Sequence, residues 1–542
     1  MTLWTGPILL LVVLVWPLLL AGLTALHGLR ERGVRLLPLA PLPALWLALA
    51  GNGEVLTAPD LLLGVTLGLD GSGRLLLGMT AVLWALAGLA AQPIAESPRS
   101  AIFSGFWLLT LTGNLAVFLA LDIVTFYVAF ATVSLASWFL IVHSRSTKAL
   151  HAGRIYIIMA LAGEVALLVG LIMGANAAGS LAIADVRDAL SITGLALLVV
   201  GFGIKAGLVP LHVWLPLAHP AAPVPASAVL SGAIVKAGLI GLILFLPEGV
   251  FGPVLIGLGL AGTFGAALWG LTQQDAKAVL AYSTVSQMGL MIMLIGAAGA
   301  AREAAPYYAL HHGFAKGALF LLVGVMLAAQ TRGQRLVCLG VAALVCGSVA
   351  GLPLTGGALA KAAVKDGLPE ALALALSLSS VTTSLILIWF LARLWQVERP
   401  GSDKAASWLL RLLIPVLAGG LAFACPWGLW SFWTGREPEY LFAAATIRDA
   451  LWPVAIALPV GLLLVRKGLP SLPPGDLLLV LGRLRMAPLR LRSPTLPALL
   501  ENDVIRAIPA ATGRAEHALV QWRLGGPLIV LLVLLMFWLL AG

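Results

Sequence analysis

This sequence is poor in charge. Only 10% of its 542 residues are Asp, Glu, Lys or Arg, against 61% hydrophobic residues. A water-soluble domain carries about 25% charged residues, so water is not the main solvent of this chain and no soluble domain of any size is expected. Cysteine is scarce too. Cys338, Cys346 and Cys425 lie in or at the ends of apolar runs, and their spacing makes no disulfide framework, zinc site or iron–sulfur site. No nucleotide-binding or redox-centre motif is present, so the sequence predicts no cofactor and no metal of its own. A cleavable signal is also missing: the first apolar run, 7–26, is too long and lacks a basic start, and it reads as a membrane span. The net charge of +10 points to basic cytoplasmic loops rather than to nucleic acid.

What the sequence has in abundance is apolar runs of the roughly 20 residues that a bilayer span needs. They predict an all-α, polytopic integral membrane protein with about 14–16 transmembrane helices. The spans, numbered 1 to 16, are 6–26, 36–50, 74–92, 101–120, 123–142, 155–173, 190–208, 226–246, 251–271, 279–297, 306–328, 336–362, 370–392, 407–426, 449–465 and 526–541. Loops after odd-numbered spans are basic, with Arg30, Arg32 and Arg35, then Arg145, Lys148 and Arg154, then Arg332 and Arg335. The stretch 466–525 adds nine more basic residues, from Arg466 to Arg523, and its apolar residues interleaved with arginines suit a helix lying in the membrane interface. Loops after even-numbered spans hold isolated charges such as Arg74, Arg187 and Arg302. The positive-inside rule then places the odd loops and 466–525 in the cytoplasm and both termini outside, in a cell inner membrane.

A charge at mid-membrane is costly unless it faces protein interior or water, so ionisable residues inside spans are where function is sought. Glu164 sits in the middle of span 6, Lys205 near the end of span 7 and Lys236 in the middle of span 8. His312 and Lys316 lie four apart on one face of span 11. Lys361 and Lys365 close span 12, where Lys365 reads as a helix-end lysine reaching for the interface. Burial brings the proton affinities of lysine and glutamate toward neutrality from opposite directions, and a row of such groups is the chemistry of a proton relay. Two of these spans are interrupted beside a lysine: Gly203 to Pro210 around Lys205, and Gly351 to Gly357 ahead of Lys361. Proline opens a helix, and the freed backbone is tolerated only inside protein or along a wet cavity. Breaks five spans apart predict an inverted repeat of spans 4–8 and 9–13. The chain accordingly divides at 1–100, 101–246, 247–396, 397–465, 466–525 and 526–542.

The run GIKAGLVPLHVWLPLAHPAAPVPASAVLSGAIVKAG (203–238) strongly resembles the antiporter-like subunits of respiratory complex I, Mrp cation/proton antiporters and membrane-bound hydrogenases. LTQQDAKAVLAYSTVSQMG (271–289), HHGFAKGALF (311–320) and GLPLTGGALAK (351–361) continue the likeness in the family's order. The resemblance covers roughly residues 100–400 and is nearest to Mrp D-type and formate-hydrogenlyase-type members. It implies fourteen core helices with two inverted five-helix repeats. It also implies proton-carrying roles for Lys205, Lys236 and Lys361, the span 11 pair His312 and Lys316, and a loop histidine at His219. Other membrane subunits would be the partners, besides the lipid bilayer and protons or sodium ions.

The family usually places a glutamate in span 5 to pair with the span 7 lysine. Here Phe130 and Ala131 stand at the Trp–Glu positions: either Glu164 in span 6 replaces the span 5 carboxylate, or the subunit has lost ordinary proton pumping. The sequence therefore predicts an ion-translocating subunit, the membrane arm of an oxidoreductase or antiporter complex with no redox centre of its own. The alternative is a proton-flux coupling subunit of an inorganic-carbon accumulation complex with a carbonic-anhydrase-like partner. The loop alternation makes a direct prediction: single cysteines introduced at Arg485 and Ser72 are modified by an impermeant thiol reagent from opposite sides of the membrane, and modification from one side would refute the topology.

Overall fold

The computed structural model describes residues 6–25, 30–51, 53–97, 99–365, 367–398 and 408–475. In hydrocarbon every backbone N–H and C=O must be satisfied within its own segment, so apolar runs become helices. Among the described residues fourteen helices are long and apolar enough to cross a membrane, from Pro7–Thr24 to Ala444–Lys467, and Ile192–Ala206 is a shorter apolar helix. Together they account for the first fifteen expected spans. The sixteenth, 526–541, and the basic insert from 476 onward lie outside the described residues, as does Arg485.

The boundaries shift for local reasons. Span 6 runs Thr147–Ala178, 32 residues against the 19 expected. The Ser146 side chain accepts from the Ala149 amide at one end, and Gly179, left-handed at φ 61°, stops the helix at the other. Lys148, His151 and Arg154 ride on the additional turns. Span 11 gains a short helix, Gly299–Glu303, ahead of Ala305–Ala328. A hairpin of Leu56–Ala58 with Val65–Leu67 joins spans 2 and 3. Asp122, at the head of span 5, fastens it: its carboxylate accepts from the amides of Thr66 (2.7 Å) and Thr125 (2.8 Å).

The loops fall into two sets at opposite ends of the bundle. Lys148 pairs with Asp275 (3.5 Å), Arg393 donates to Gln274, and Arg335 donates to the carbonyl of Val397, so loops after spans 5, 9, 11 and 13 meet. Leu472, beyond span 15, joins them through Thr272 and Gln273. At the other end Arg302 donates to the carbonyls of Ile243 and Leu246, linking the loops after spans 8 and 10. The odd, basic loops thus share one end.

The two halves of the bundle are related in detail. In span 7 the helix Ile192–Ala206 ends where Gly207 N donates to Ile204 O and Leu208 N to Gly203 O; the half-helix Trp214–Ala221 follows. In span 12 the helix Arg332–Ala350 ends where Gly351 N donates to Ser348 O and Leu352 N to Gly347 O; Gly356–Lys365 follows. Both are Schellman ends with a glycine at positive φ, 75° and 95°. Gly113 of span 4 lies against the backbone of Ala129 and Val133 in span 5. Gly259 of span 9 lies the same way against Gly289 and Met293 in span 10.

A Cβ at Gly259 would stand 2.6 Å from the Gly289 carbonyl, whereas one at Gly257 would meet nothing within 4 Å. Gly259→Leu is expected to lower stability by about 3 kcal/mol, and Gly257→Leu to leave it unchanged. Thermal unfolding in detergent checks both, and equal midpoints would refute the close crossing.

Candidate functional site

Glu164 and Lys205 meet at the first lysine. Span 6 turns Leu161 and Val165 outward, 49% and 61% exposed, and Glu164 inward at 5%. Its Oε1 accepts from Ser134 Oγ of span 5 at 2.5 Å. The Ser134 carbonyl in turn accepts from Tyr156 OH (2.9 Å), which lies 2.6 Å from Ser137 Oγ. Lys205 is equally buried. Its ammonium lies over the rings of Phe130 and Tyr156, 5.3 and 5.9 Å from their centroids, where the ring quadrupoles attract a cation. Carboxylate and ammonium form no direct ion pair. They face one cavity of about 10 Å³, lined also by Ser134, Tyr156 and Trp214, about the space that one water requires. Phe130 and Ala131, which displace the expected span 5 pair, leave aromatic area under the lysine where a carboxylate was anticipated.

The central lysines are joined to each other through neutral groups. Span 8 carries a π-helical turn at Leu230–Ile234. There the Val235 amide reaches back to Leu230, and the Ser231 carbonyl accepts from Lys236 Nζ at 2.8 Å. The same ammonium lies 2.8 Å from His312 Nδ1 of span 11. Ser231 Oγ touches Thr284 Oγ1 (2.8 Å), Thr284 donates to the Leu280 carbonyl (2.9 Å), and that carbonyl also accepts from Lys316 Nζ (3.4 Å). Lys316 donates further to Ser283 Oγ at 2.6 Å. Lys236, His312 and Lys316 thus belong to one hydrogen-bonded array, all at most 1% exposed. His219, fully buried on the half-helix after Gly207, stacks on Phe320 with centroids 4.5 Å apart. Neither of its ring nitrogens has a partner among the described residues.

Span 12 holds the last lysine. Lys361 Nζ donates to the Ala350 carbonyl (2.9 Å), released at the helix break, and to Ser380 Oγ of span 13 (2.6 Å). His311 Nε2 lies 3.0 Å from Ser348 Oγ, on the helix that ends in that break. Neighbouring residues on a helix point about 100° apart, so His312 faces span 8 while His311 faces span 12. A side chain at Gly357 would collide with the Ser348 carbonyl, which is why glycines open the second half-helix. No hydrogen-bonded link among the described residues connects Lys205 to Lys236.

Several participants escape a search for charges. His311 was legible only as a repeated histidine, and Ser134, Ser231, Ser283, Thr284 and Ser380 as small polar residues in apolar spans. The π turn at 230–234 has no distinct sequence signature beyond Ser231-Gly232. Lys365, read as reaching for the interface, pairs with Asp449 of span 15 at 2.7 Å.

The family model described as NADH:quinone oxidoreductase/Mrp antiporter, transmembrane, matches residues 120–387. Hydrogenase-4 component B of Escherichia coli (strain K12) is 32% identical over 255 residues, covering 42% of this chain and 38% of that protein. An NAD(P)H-quinone oxidoreductase chain 4 of Picosynechococcus is 32% identical over 281 residues, covering 49% and 52%. The matched stretches thus span between about a third and a half of the length of these curated relatives. Among solved structures, the Mrp complex of a Dietzia species matches with a TM-score of 0.68 at 22% identity, over 94% of this chain and 63% of that one. An archaeal membrane-bound sulfane sulfur reductase matches at 0.66 and 20% identity, over 97% and 100%. Both structural likenesses establish the fold.

Removing the His312 ring leaves the Lys236 ammonium with the Ser231 carbonyl alone. His312→Ala is expected to cost about 1–3 kcal/mol, the price of an under-satisfied buried donor. Adding Lys236→Met should recover part of the loss by removing that donor. Melting midpoints of the single and double variants decide it; additive losses would show that the two side chains do not interact.

Proposed function

Because the chain belongs, over residues 120–387, to the NADH:quinone oxidoreductase/Mrp antiporter transmembrane family, we propose that it is an ion-translocating subunit of a multi-subunit membrane complex, carrying protons or sodium ions. The observation that carries this reading is the contact of Lys236 with His312, extended through Ser231, Thr284 and the Leu280 carbonyl to Lys316. It links the first repeat to the second, and its ionisable members, Lys236, His312 and Lys316, are groups that can take up and release a proton. Neutral partners hold these lysines without the fixed negative charge of a direct ion pair. In this reading Lys205, Lys236, Lys316 and Lys361 are the carriers, His312 and His311 hand protons between spans 8 and 12, and His219 receives them near the basic loops. Glu164 serves as the displaced counter-ion of Lys205, acting across the small cavity between them.

The chain carries no redox or nucleotide motif, so a partner subunit supplies the energy. We place the protein in a cell inner membrane, with the basic loops on the cytoplasmic side and both termini outside, on the charge alternation. The alternative of an inorganic-carbon complex with a carbonic-anhydrase-like partner draws on the altered span 5 alone. Co-purification from native membranes separates the two by the partners recovered.

The complex reconstituted in liposomes and energised by its partner tests the mechanism. Lys236→Met and Lys361→Met are each expected to reduce coupled ion flux at least tenfold. Glu164→Gln should reduce it too, and Ala131→Glu in the Glu164→Gln background should restore part of it. Full flux in both lysine variants would overturn the relay. An unaffected Glu164→Gln variant would overturn the counter-ion role alone.

A further inference from the structure

The broken helix of span 12 opens a cavity of about 200 Å³, much larger than the one at Lys205. Lys361 lies on its wall together with Ser377 and Ser380 of span 13, and Lys365 and Asp449 line it as well. The last two come from different elements. Lys365 is in the final turn of the half-helix Gly356–Lys365, where a cation is favoured by the helix dipole, and Asp449 is near the start of span 15. Their 2.7 Å contact is the direct ionic tie between these two elements, and the side chains are 35% and 54% exposed. The cavity therefore has a buried ammonium on its wall and an ion pair open to the surroundings at the same end as the loops after even-numbered spans.

Three features suit this pair to opening and closing. A partly exposed ion pair is weakly held, because water competes for both charges. Neither residue is part of the hydrogen-bonded row, so separating them leaves the ties of Lys361 to Ala350 and Ser380 in place. The segment carrying Asp449 is joined to the preceding helix by a short turn, Pro438–Phe442, and its body is seated on span 13, where Gly461 lies against Ile388. The buried residues of that helix, Pro453, Ala457 and Gly461, all follow Asp449, so its first turns are its least packed part.

We propose that the Lys365–Asp449 ion pair is the gate of the cavity that serves Lys361, and that an ion leaving or reaching Lys361 passes Asp449. When paired, the two side chains close the mouth. A cation arriving at Asp449, a proton or a hydrated sodium ion, displaces Lys365 and opens it. This assignment deepens the reading of Lys361 as a carrier and rests on it, but access to the cavity is measured without any ion flux.

In the full chain in its native membrane, Ser377→Cys is treated with an impermeant methanethiosulfonate added on the side of the even loops, with the unsubstituted chain setting the background of its own cysteines. Asp449→Asn and Lys365→Met are each expected to speed modification at least fivefold. The charge-reversed pair Lys365→Asp with Asp449→Lys should return it to the slow rate. Equal rates in all backgrounds, fast modification in the reversed pair, or no modification anywhere would overturn the gate. Ala358→Cys on the opposite wall repeats the measurement if Ser377→Cys is poorly produced. A chain that passes this test yet carries no ions would refute the translocating role and not the gate.

Discussion

An ammonium group surrounded by hydrocarbon has to be solvated by the protein itself, and this bundle must do so with almost no carboxylates. Lys205, Lys236, Lys316 and Lys361 are all buried, while Asp122 and Glu164 are the buried acids among the described residues. Asp122 is occupied at the head of span 5. The remaining stabilisation comes from backbone carbonyls, hydroxyls, an imidazole and aromatic faces. Most of the unusual geometry follows from this need. Helices are broken or bulged where a carbonyl must be released, as at Ser231 for Lys236 and at Ala350 for Lys361. Small hydroxyl residues on the facing spans supply the second acceptor.

The two repeats solve the problem differently on one scaffold. Spans 7 and 12 end their first halves with the same pair of backbone hydrogen bonds around Gly207 and Gly351. Lys205 precedes its break by two residues, whereas Lys361 follows its own by ten. One lysine therefore rests on the intact helix, against Phe130 and Tyr156 and across from Glu164. The other reaches back from the second half-helix into the carbonyls that the break exposes. The consequence is a cavity of about one water at Lys205 and one of about 200 Å³ at Lys361. In the proposed relay the tight place is where a charge is held near its counter-ion, and the roomy one is where it leaves.

Span 5 has no carboxylate opposite Lys205, and the acid that faces the lysine's cavity comes from span 6. Ala131 cannot carry charge, yet the acid at position 164 reaches the same neighbourhood from span 6 and is held there by Ser134, one turn beyond Ala131. Electrostatic attraction falls off slowly with distance. In its proposed role Glu164 acts on Lys205 across a small cavity and not through a direct ion pair.

Much of this was legible in the sequence. Apolar runs of membrane length mark spans, because nothing in hydrocarbon can satisfy a backbone except its own helix. Glycine and proline beside Lys205 and Lys361 mark breaks, because they cannot continue a helix. Charges inside apolar runs mark the candidate site, because a charge in hydrocarbon must be solvated by protein. The alternation of basic loops assigned them to one end, and Lys148, Asp275 and Arg393 do meet there. The partners of those charges were not legible. That Glu164 faces Lys205, that His311 turns to span 12 while His312 turns to Lys236, and that a π turn releases the Ser231 carbonyl all depend on the rotation and crossing of helices far apart in the chain. The sequence by itself determined which residues must be solvated by protein, since that depends only on their chemistry and their place in an apolar run. Only the tertiary structure decided by what, since packing between spans sets which carbonyl, hydroxyl or ring comes within reach of each lysine.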